Sequence, residues 1–128
     1  MAEFIETPTK TFTAGDAIAQ HLRVKLSAGV LALAGASDAD IGVTEWPALA
    51  TGDDVAVRLR NAQGTVKMIA ADSFAAGADI YAAANGRIDD SGTILIGTTL
   101  DAASNEGDIV EVLRGNPQDI SESQGGGT

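Results

Sequence analysis

The stretch Gly52-Asp53-Asp54-Val55-Ala56-Val57 recurs later in the chain as Gly107-Asp108-Ile109-Val110-Glu111-Val112. An Ile-Gly pair precedes each copy at the same spacing, Ile41-Gly42 before the first and Ile96-Gly97 before the second. In both copies a Gly-Asp turn leads into a Val-x-Val alternation, which places successive side chains on opposite faces of a strand. The repeat therefore predicts two similar β half-units that share one core.

Two further similarities extend this repeat. The heptapeptide Phe-Thr-Ala-Gly-Asp-Ala-Ile at residues 12–18 resembles Phe-Ala-Ala-Gly-Ala-Asp-Ile at residues 74–80. Residues 27–30 (Ser-Ala-Gly-Val) and 84–87 (Ala-Asn-Gly-Arg) both have the composition of hairpin turns. We expect these segments to occupy corresponding places in the two half-units.

Short alternating or β-branched runs separated by turn residues fill the middle of the chain, a pattern typical of a sandwich or barrel. They fall at residues 22–26, 55–59, 65–69, 79–83, 93–98 and 108–113. The expected fold is all-β, a small single-domain β-barrel or sandwich with flexible N- and C-terminal arms. The expected boundaries are an N-terminal arm at residues 1–9, a β domain at residues 10–114 and a flexible C-terminal tail at residues 115–128.

Charge excludes several classes of partner. The 128-residue chain has 18 Asp and Glu against 8 Lys and Arg, a formal net charge of -10. Binding to nucleic acid or to an anionic membrane needs clustered Lys and Arg, so we expect neither partner. No apolar run is long enough to span a membrane, and the N-terminus lacks the pattern of a signal peptide. A soluble protein with a more basic protein partner fits this charge.

Catalytic and cofactor motifs are nearly absent. The chain has no cysteine and a single histidine, His21, which alternates with Arg23 and Lys25 and is expected on an exposed strand face. We expect no enzyme activity, no metal and no cofactor. One alternative stays open, because Val66-Lys67-Met68 resembles the modified lysine of biotinyl or lipoyl carrier domains, although Lys67 falls in the middle of a predicted strand.

The basic residues are candidates for an interface. Arg23 and Lys25 are expected on one strand face, and Arg58 and Arg60 on another. Such stripes fit the docking of a partner's carboxylates, or solvated faces paired with neighbouring Asp and Glu. Exposed pairs of that kind contribute only about 0–1 kcal/mol each, so stability alone does not explain the clustering.

Apolar residues give a second set of interface candidates. Ile109 and Leu113 flank Glu111 on the presumed outer face of the second Gly-Asp strand, which suggests a covered surface. Trp46 precedes a proline and fits either an interface anchor or a cap on the core. Phe4 and Ile5 lie in the N-terminal arm, where apolar side chains suggest docking.

Taken in order, the motifs resemble a known family, the small cement (head decoration) proteins of tailed-phage capsids. The motifs that carry the resemblance are the following: Gly15-Asp16-x-Ile18, the 27–30 turn, Asp40-Ile41-Gly42-Val43, Gly52-Asp53 before Val55, Phe74-x-Ala-Gly77, Ile80-Tyr81, Asn85-Gly86, Ile96-Gly97-Thr98 and Gly107-Asp108-Ile109-Val110. The resemblance covers residues 10–114. The N-terminal segment departs from any pattern of the family.

The resemblance implies a structural protein without catalytic residues, made in the host cytoplasm and placed on the outer capsid surface of the virion. It implies binding to the major capsid protein, usually as a homotrimer, and stabilisation of the capsid lattice. The alternatives from other classes are a biotinyl or lipoyl-like carrier that uses Lys67 and a tail- or fibre-associated virion module.

Overall fold

The computed structural model describes residues 9–62 and 64–115 of the chain. Within these residues the chain forms ten β-strands and no α-helix, and the turn at Ala84–Gly86 has left-handed backbone at Asn85 and Gly86. The strands are β1 Thr9–Thr13, β2 Arg23–Ser27, β3 Val30–Leu33, β4 Gly42–Thr44, β5 Asp54–Leu59, β6 Thr65–Ile69, β7 Asp79–Ala82, β8 Ile88–Asp89, β9 Leu95–Thr99 and β10 Ile109–Arg114. The all-β fold class expected from the alternating runs is confirmed.

The strands build two five-stranded sheets, one from each half of the chain. The first has the order β1-β5-β4-β2-β3 and the second the order β6-β10-β9-β7-β8, and the paired strands are antiparallel. The two orders are equivalent, since adding five to each strand number of the first sheet gives the strand order of the second. The two half-units thus share one topology, and together they form a sandwich.

The two Gly-Asp turns of the repeat make the same hydrogen bonds in both halves of the chain. Backbone N–H groups of Leu49 and Ala50 donate to the Asp53 carboxylate at 2.9 and 3.1 Å. In the second half, the N–H groups of Ser104 and Asn105 donate to the Asp108 carboxylate at 2.8 and 3.1 Å. Each aspartate therefore closes the loop that precedes its strand, the role that Asx side chains take in turns.

The proposed equivalence of residues 12–18 with residues 74–80 is wrong. The bridge from Ala14 to Leu31 corresponds to the bridge from Ala70 to Ile88, and the bridge at Ile18 corresponds to the one at Phe74. Residues 12–18 thus align with residues 68–74, and the resemblance to residues 74–80 comes from similar small residues in a different register. The hairpin turns at residues 27–30 and 84–87 do correspond, because each joins the second and third strands of its sheet.

Two apolar clusters form the core, and each takes a residue from the opposite half. The first-half cluster is centred on Val24, Leu31, Val55 and Val57, and Ile69 of β6 packs against it. The second-half cluster includes Val43 of β4 among its buried members. The half-units therefore interlock, as expected from the prediction of a shared core.

A buried arginine joins the two halves. The Arg23 side chain is fully buried, and its guanidinium lies within hydrogen-bonding distance of four carbonyls. Nη2 donates to Ala83 at 2.7 Å and to Ala34 and Gly35 at 3.3 Å, and Nε donates to Arg87 at 3.1 Å. The prediction that Arg23 lies on an outer face is wrong, because the second half covers that face of β2 at this position.

A second polar link crosses between the halves nearby. Arg114 at the end of β10 forms a bidentate ion pair with the buried Asp40 carboxylate, at 2.6 and 2.9 Å. Arg60 donates to the backbone carbonyl of Asp40 at 2.9 Å. Arg60 and Arg114 thus both bond to Asp40 at this junction.

Candidate docking surface

The outer face of β10 exposes two large apolar side chains. Ile109 is 54% exposed and Leu113 is 50% exposed, while Val110 and Val112 between them point into the core. Glu111 lies between the two on the same face, directly opposite Lys67 of the neighbouring strand β6. We call the surface formed by Ile109, Glu111, Leu113 and Lys67 the β10 face.

The equivalent strand of the first half shows what the scaffold itself requires. The equivalents of Ile109, Glu111 and Leu113 on β5 are the exposed Asp54 and the half-buried Ala56 and Arg58. The same topology thus forms without large apolar side chains at these places. The exposure of Ile109 and Leu113 agrees with the outer face on which the sequence pattern placed them.

A groove of about 410 Å³ lies beside the β10 face, next to strand β6. We call it the Trp46 groove, and its walls include His21, Val43, Trp46, Arg58, Thr65 and Lys67. The Trp46 side chain is 63% exposed, so it forms an apolar wall that solvent still reaches. The structure thus brings Trp46 and Arg58 together with Lys67, which is shared with the β10 face.

Strand β6 contributes its edge to the groove. It is the outermost strand of its sheet, and three consecutive residues, Thr65, Val66 and Lys67, line the groove. Because alternate residues of a strand point to opposite faces, three in a row can line one wall only where the strand presents its edge. Within its sheet an edge strand pairs on one side alone, so its outer backbone N–H and C=O groups can bond an extended partner.

The groove brings two cations together with two carboxylates. Lys67 and Arg58 lie on its wall with Glu45, and Glu111 lies directly opposite Lys67 beside the groove, where its carboxylate accepts a hydrogen bond from the Thr65 hydroxyl. Burial lowers the pKa of His21 below its ordinary value, and the nearby Lys67 lowers it further while Glu45 opposes the change. The positive charge of Lys67 therefore favours the neutral form of the imidazole.

The remaining interface candidates do not join this surface. Lys25 forms an ion pair with Asp38 at 2.9 Å, and this ion pair together with a hydrogen bond from the Gly35 N–H lowers the pKa of Asp38. Arg23 and Arg60 lie at the junction between the halves. Phe4 and Ile5 lie outside the described residues.

The residues considered for chemistry do not form a reactive site in the described part of the chain. Lys67 lies in the middle of a strand rather than on a hairpin tip, which does not fit a carrier lysine. His21 precedes β2, in a left-handed backbone conformation with φ of 66°, so it is not on a strand face as expected. Among residues 9–62 and 64–115, no group of three His, Asp or Glu side chains could hold a metal ion.

Sequence reasoning missed two features of the surface. Leu49 is 82% exposed on the same loop as Trp46, and Lys67 belongs to the groove. A comparison of the two copies could have indicated the exposed loop. The equivalents of Trp46 and Leu49 in the second copy are the polar Asp101 and Ser104, so the fold does not need apolar residues there. Nothing in the sequence indicated the groove, because its walls come from both halves.

Comparison with known proteins identifies a matching family and a solved structure with a similar fold. The model of a family described as phage cement protein matches residues 4–114. The crystal structure of the head fiber gp8.5 N base in bacteriophage phi29 is similar, with a TM-score of 0.72 and 16% sequence identity. That likeness covers 84% of this chain and 92% of the other, and at this identity it shows a shared fold. No curated protein matches the sequence. No helix in the described part of the chain is long and apolar enough to cross a membrane.

Proposed function

The chain belongs to the phage cement protein family, and from this membership we propose that it lies on the outer surface of the capsid and binds the major capsid protein there. As a member of this family it is a structural protein of the virion that stabilises the capsid. The proposal adds the partner and the side of the shell. It also makes the β10 face the part of the molecule that a protein partner covers.

The observation that carries this proposal is the difference between β10 and β5. Ile109 and Leu113 remain about half exposed on a strand whose counterpart forms the same sheet with Asp54 and Arg58. Covering the exposed half of each apolar side chain contributes about 1 kcal/mol. Contacts of this size add up through multivalency when copies of the protein are linked, as in the homotrimer proposed below.

We also propose a homotrimer, with neither nucleic acid nor membrane as partner. A net charge of -10 opposes close approach of copies, so a trimer needs contacts that outweigh this repulsion. Three linked copies would bind a repeated lattice through three sets of contacts. Sedimentation equilibrium of the purified protein measures the state directly, and a monomer at every concentration tested contradicts the trimer in solution.

The test of capsid binding uses expanded shells of the protein's own phage. Wild-type protein should add to the shells and raise their melting temperature, and labelled protein should appear on the outside of the head in electron micrographs. The variant Ile109→Ser/Leu113→Ser should bind at least about tenfold more weakly. Leu26→Ser, which changes an exposed leucine on β2, is the matched control and should bind normally. Wild-type protein that does not decorate these shells overturns the proposal.

A further inference from the structure

We propose that the Trp46 groove receives an extended, acidic segment of the capsid shell, with an apolar residue against Trp46 and carboxylates facing Lys67 and Arg58. This inference rests on the proposed function, since it names the chemistry of the partner segment. It concerns a surface separate from Ile109 and Leu113. The two surfaces meet at Lys67.

The first support is that the scaffold does not require Trp46. The loop that precedes β5 and the loop that precedes β10 have the same backbone caps, from Asp53 and Asp108. In the second loop the place of Trp46 is taken by Asp101. A tryptophan that is 63% exposed on a loop that also forms without it fits an anchor for a partner, since tryptophan is the residue most enriched at binding hot spots.

The second support is charge. The molecule carries a net charge of -10, yet this groove brings Lys67 and Arg58 together, and of the two nearby carboxylates, Glu45 and Glu111, the second accepts a hydrogen bond from the Thr65 hydroxyl. Within the described residues, ion pairs engage Lys25, Arg87 and Arg114, and none engages Lys67. The ammonium group of Lys67 therefore favours a carboxylate-bearing segment at the groove over other parts of this acidic surface.

The third support is the edge of β6, which selects an extended partner. Thr65, Val66 and Lys67 present the strand edge to the groove. An extended segment can pair with such an edge through backbone hydrogen bonds, and its alternate side chains then meet the two sides of the groove. The apolar side is Trp46, and the charged side is Lys67 with Arg58.

The experiment measures the affinity of full-length variants for expanded shells of the same phage at low and high salt. Lys67→Glu and Trp46→Ser should each bind at least about tenfold more weakly at low salt. Lys10→Glu makes the same charge change on β1, the edge strand of the other sheet, and should stay within about twofold of wild type. High salt should weaken wild-type binding and reduce the difference between Lys67→Glu and wild type, because salt screens the charges.

The outcomes separate this inference from the proposed function. If wild type and Lys10→Glu decorate the shells while Lys67→Glu and Trp46→Ser decorate equally well, the groove assignment fails and the proposed function stands. If Lys67→Glu and Lys10→Glu lose affinity equally, net charge rather than the groove is responsible, and the assignment also fails.

A further outcome tests an occupant from this chain. His21 is the single histidine of the sequence, so its imidazole NMR signal reports on the groove in untagged protein. The signal of the free protein should be the same in wild type and in Phe4→Ser. A changed signal in Phe4→Ser assigns the groove to the chain's own N-terminal segment and overturns the assignment to the shell.

Discussion

At the scale of single residues, two glycines show how closely the half-units follow one design. A Cβ atom built on Gly42 would lie 2.1 Å from the carbonyl oxygen of Arg58, and one built on Gly97 would lie 2.1 Å from that of Leu113. Backbone approaches this close occur only where a side chain is missing. The Ile-Gly pairs seen in the sequence thus mark the positions where β4 meets β5 and β9 meets β10.

We therefore expect Gly97→Ala to destabilise the protein by more than about 3 kcal/mol, because backbone atoms must move to admit the methyl group. Gly77→Ala is the matched control, since Gly77 has a positive φ of 85° and nothing lies within 4 Å of an added Cβ. Gly77→Ala should lower the free energy of unfolding by only about 1–2 kcal/mol, because alanine must adopt a left-handed conformation there. Urea denaturation measures the free energy of unfolding of both variants. Equal losses of stability would contradict the close approach of the β10 backbone to Gly97.

His21 gives a second prediction at this scale. Its pKa should lie below the ordinary 6.5, and Lys67→Glu should raise that pKa by removing a repulsive charge and adding an attractive one. Since folding lowers this pKa, the contribution of His21 to stability is complete above pH 6.5 and is lost as the pH falls through the unfolded value towards the folded one. NMR titration measures the pKa, and an equal rise in Lys10→Glu would contradict the proximity of Lys67 and His21.

At the scale of elements, the two hairpins use the same turn with different residues. Ala28 and Gly29 in the β2–β3 turn both have positive φ, 52° and 85°, as do Asn85 and Gly86 in the β7–β8 turn, 61° and 75°. Positive φ at both central residues is the type I′ turn that suits two-residue hairpins. Asparagine tolerates this conformation better than alanine, so the first turn carries strain that the second avoids.

Ala28→Asn should therefore stabilise the protein by about 0.5–1 kcal/mol. Asn85→Ala should destabilise it by a similar amount for the same reason. Denaturation midpoints in urea at unchanged slope measure both effects. A loss of stability in Ala28→Asn would contradict the assigned turn.

At the scale of the whole molecule, the two similar half-units depend on each other. Val43 is buried in the second-half cluster, Arg23 donates to the carbonyls of Ala83 and Arg87, and Asp40 pairs with Arg114. Each of these links joins residues far apart in sequence. We therefore expect the domain to unfold in one transition rather than half by half.

Arg23→Met should lower the free energy of unfolding by about 3–5 kcal/mol, because it leaves buried carbonyls without their donor. Lysine should not rescue it, since a single ammonium cannot reach the carbonyls that the planar guanidinium spans. Lys25→Met, which breaks a partly exposed ion pair on the same strand, should cost at most about 1 kcal/mol. Hydrogen exchange should show equal loss of protection at Val24 and Ile80 in Arg23→Met, and loss confined to the first half would contradict the coupling.

The sequence alone determined six of the ten strands (β2, β5, β6, β7, β9 and β10), the duplication and the resemblance to cement proteins. Period-two alternation, Gly-Asp turns and Asn-Gly or Ala-Gly hairpins are local properties, and local properties can be read along the chain. The spacing from Gly42 to Val57 and from Gly97 to Val112 is such a property. The pairing of residues 12–18 with residues 74–80 failed because runs of small residues specify register weakly.

Only the tertiary structure decided which of these residues lie on the surface. Alternation placed Arg23 outside, but the second half covers that face of β2 and supplies carbonyls from residues 60 and 64 positions away. Trp46, Arg58 and Lys67 come from three separate segments, and they form one groove because β6 lies beside β4. A strand pattern fixes which side chains share a face, while the packing of one sheet against the other decides whether that face meets water, the core or a partner.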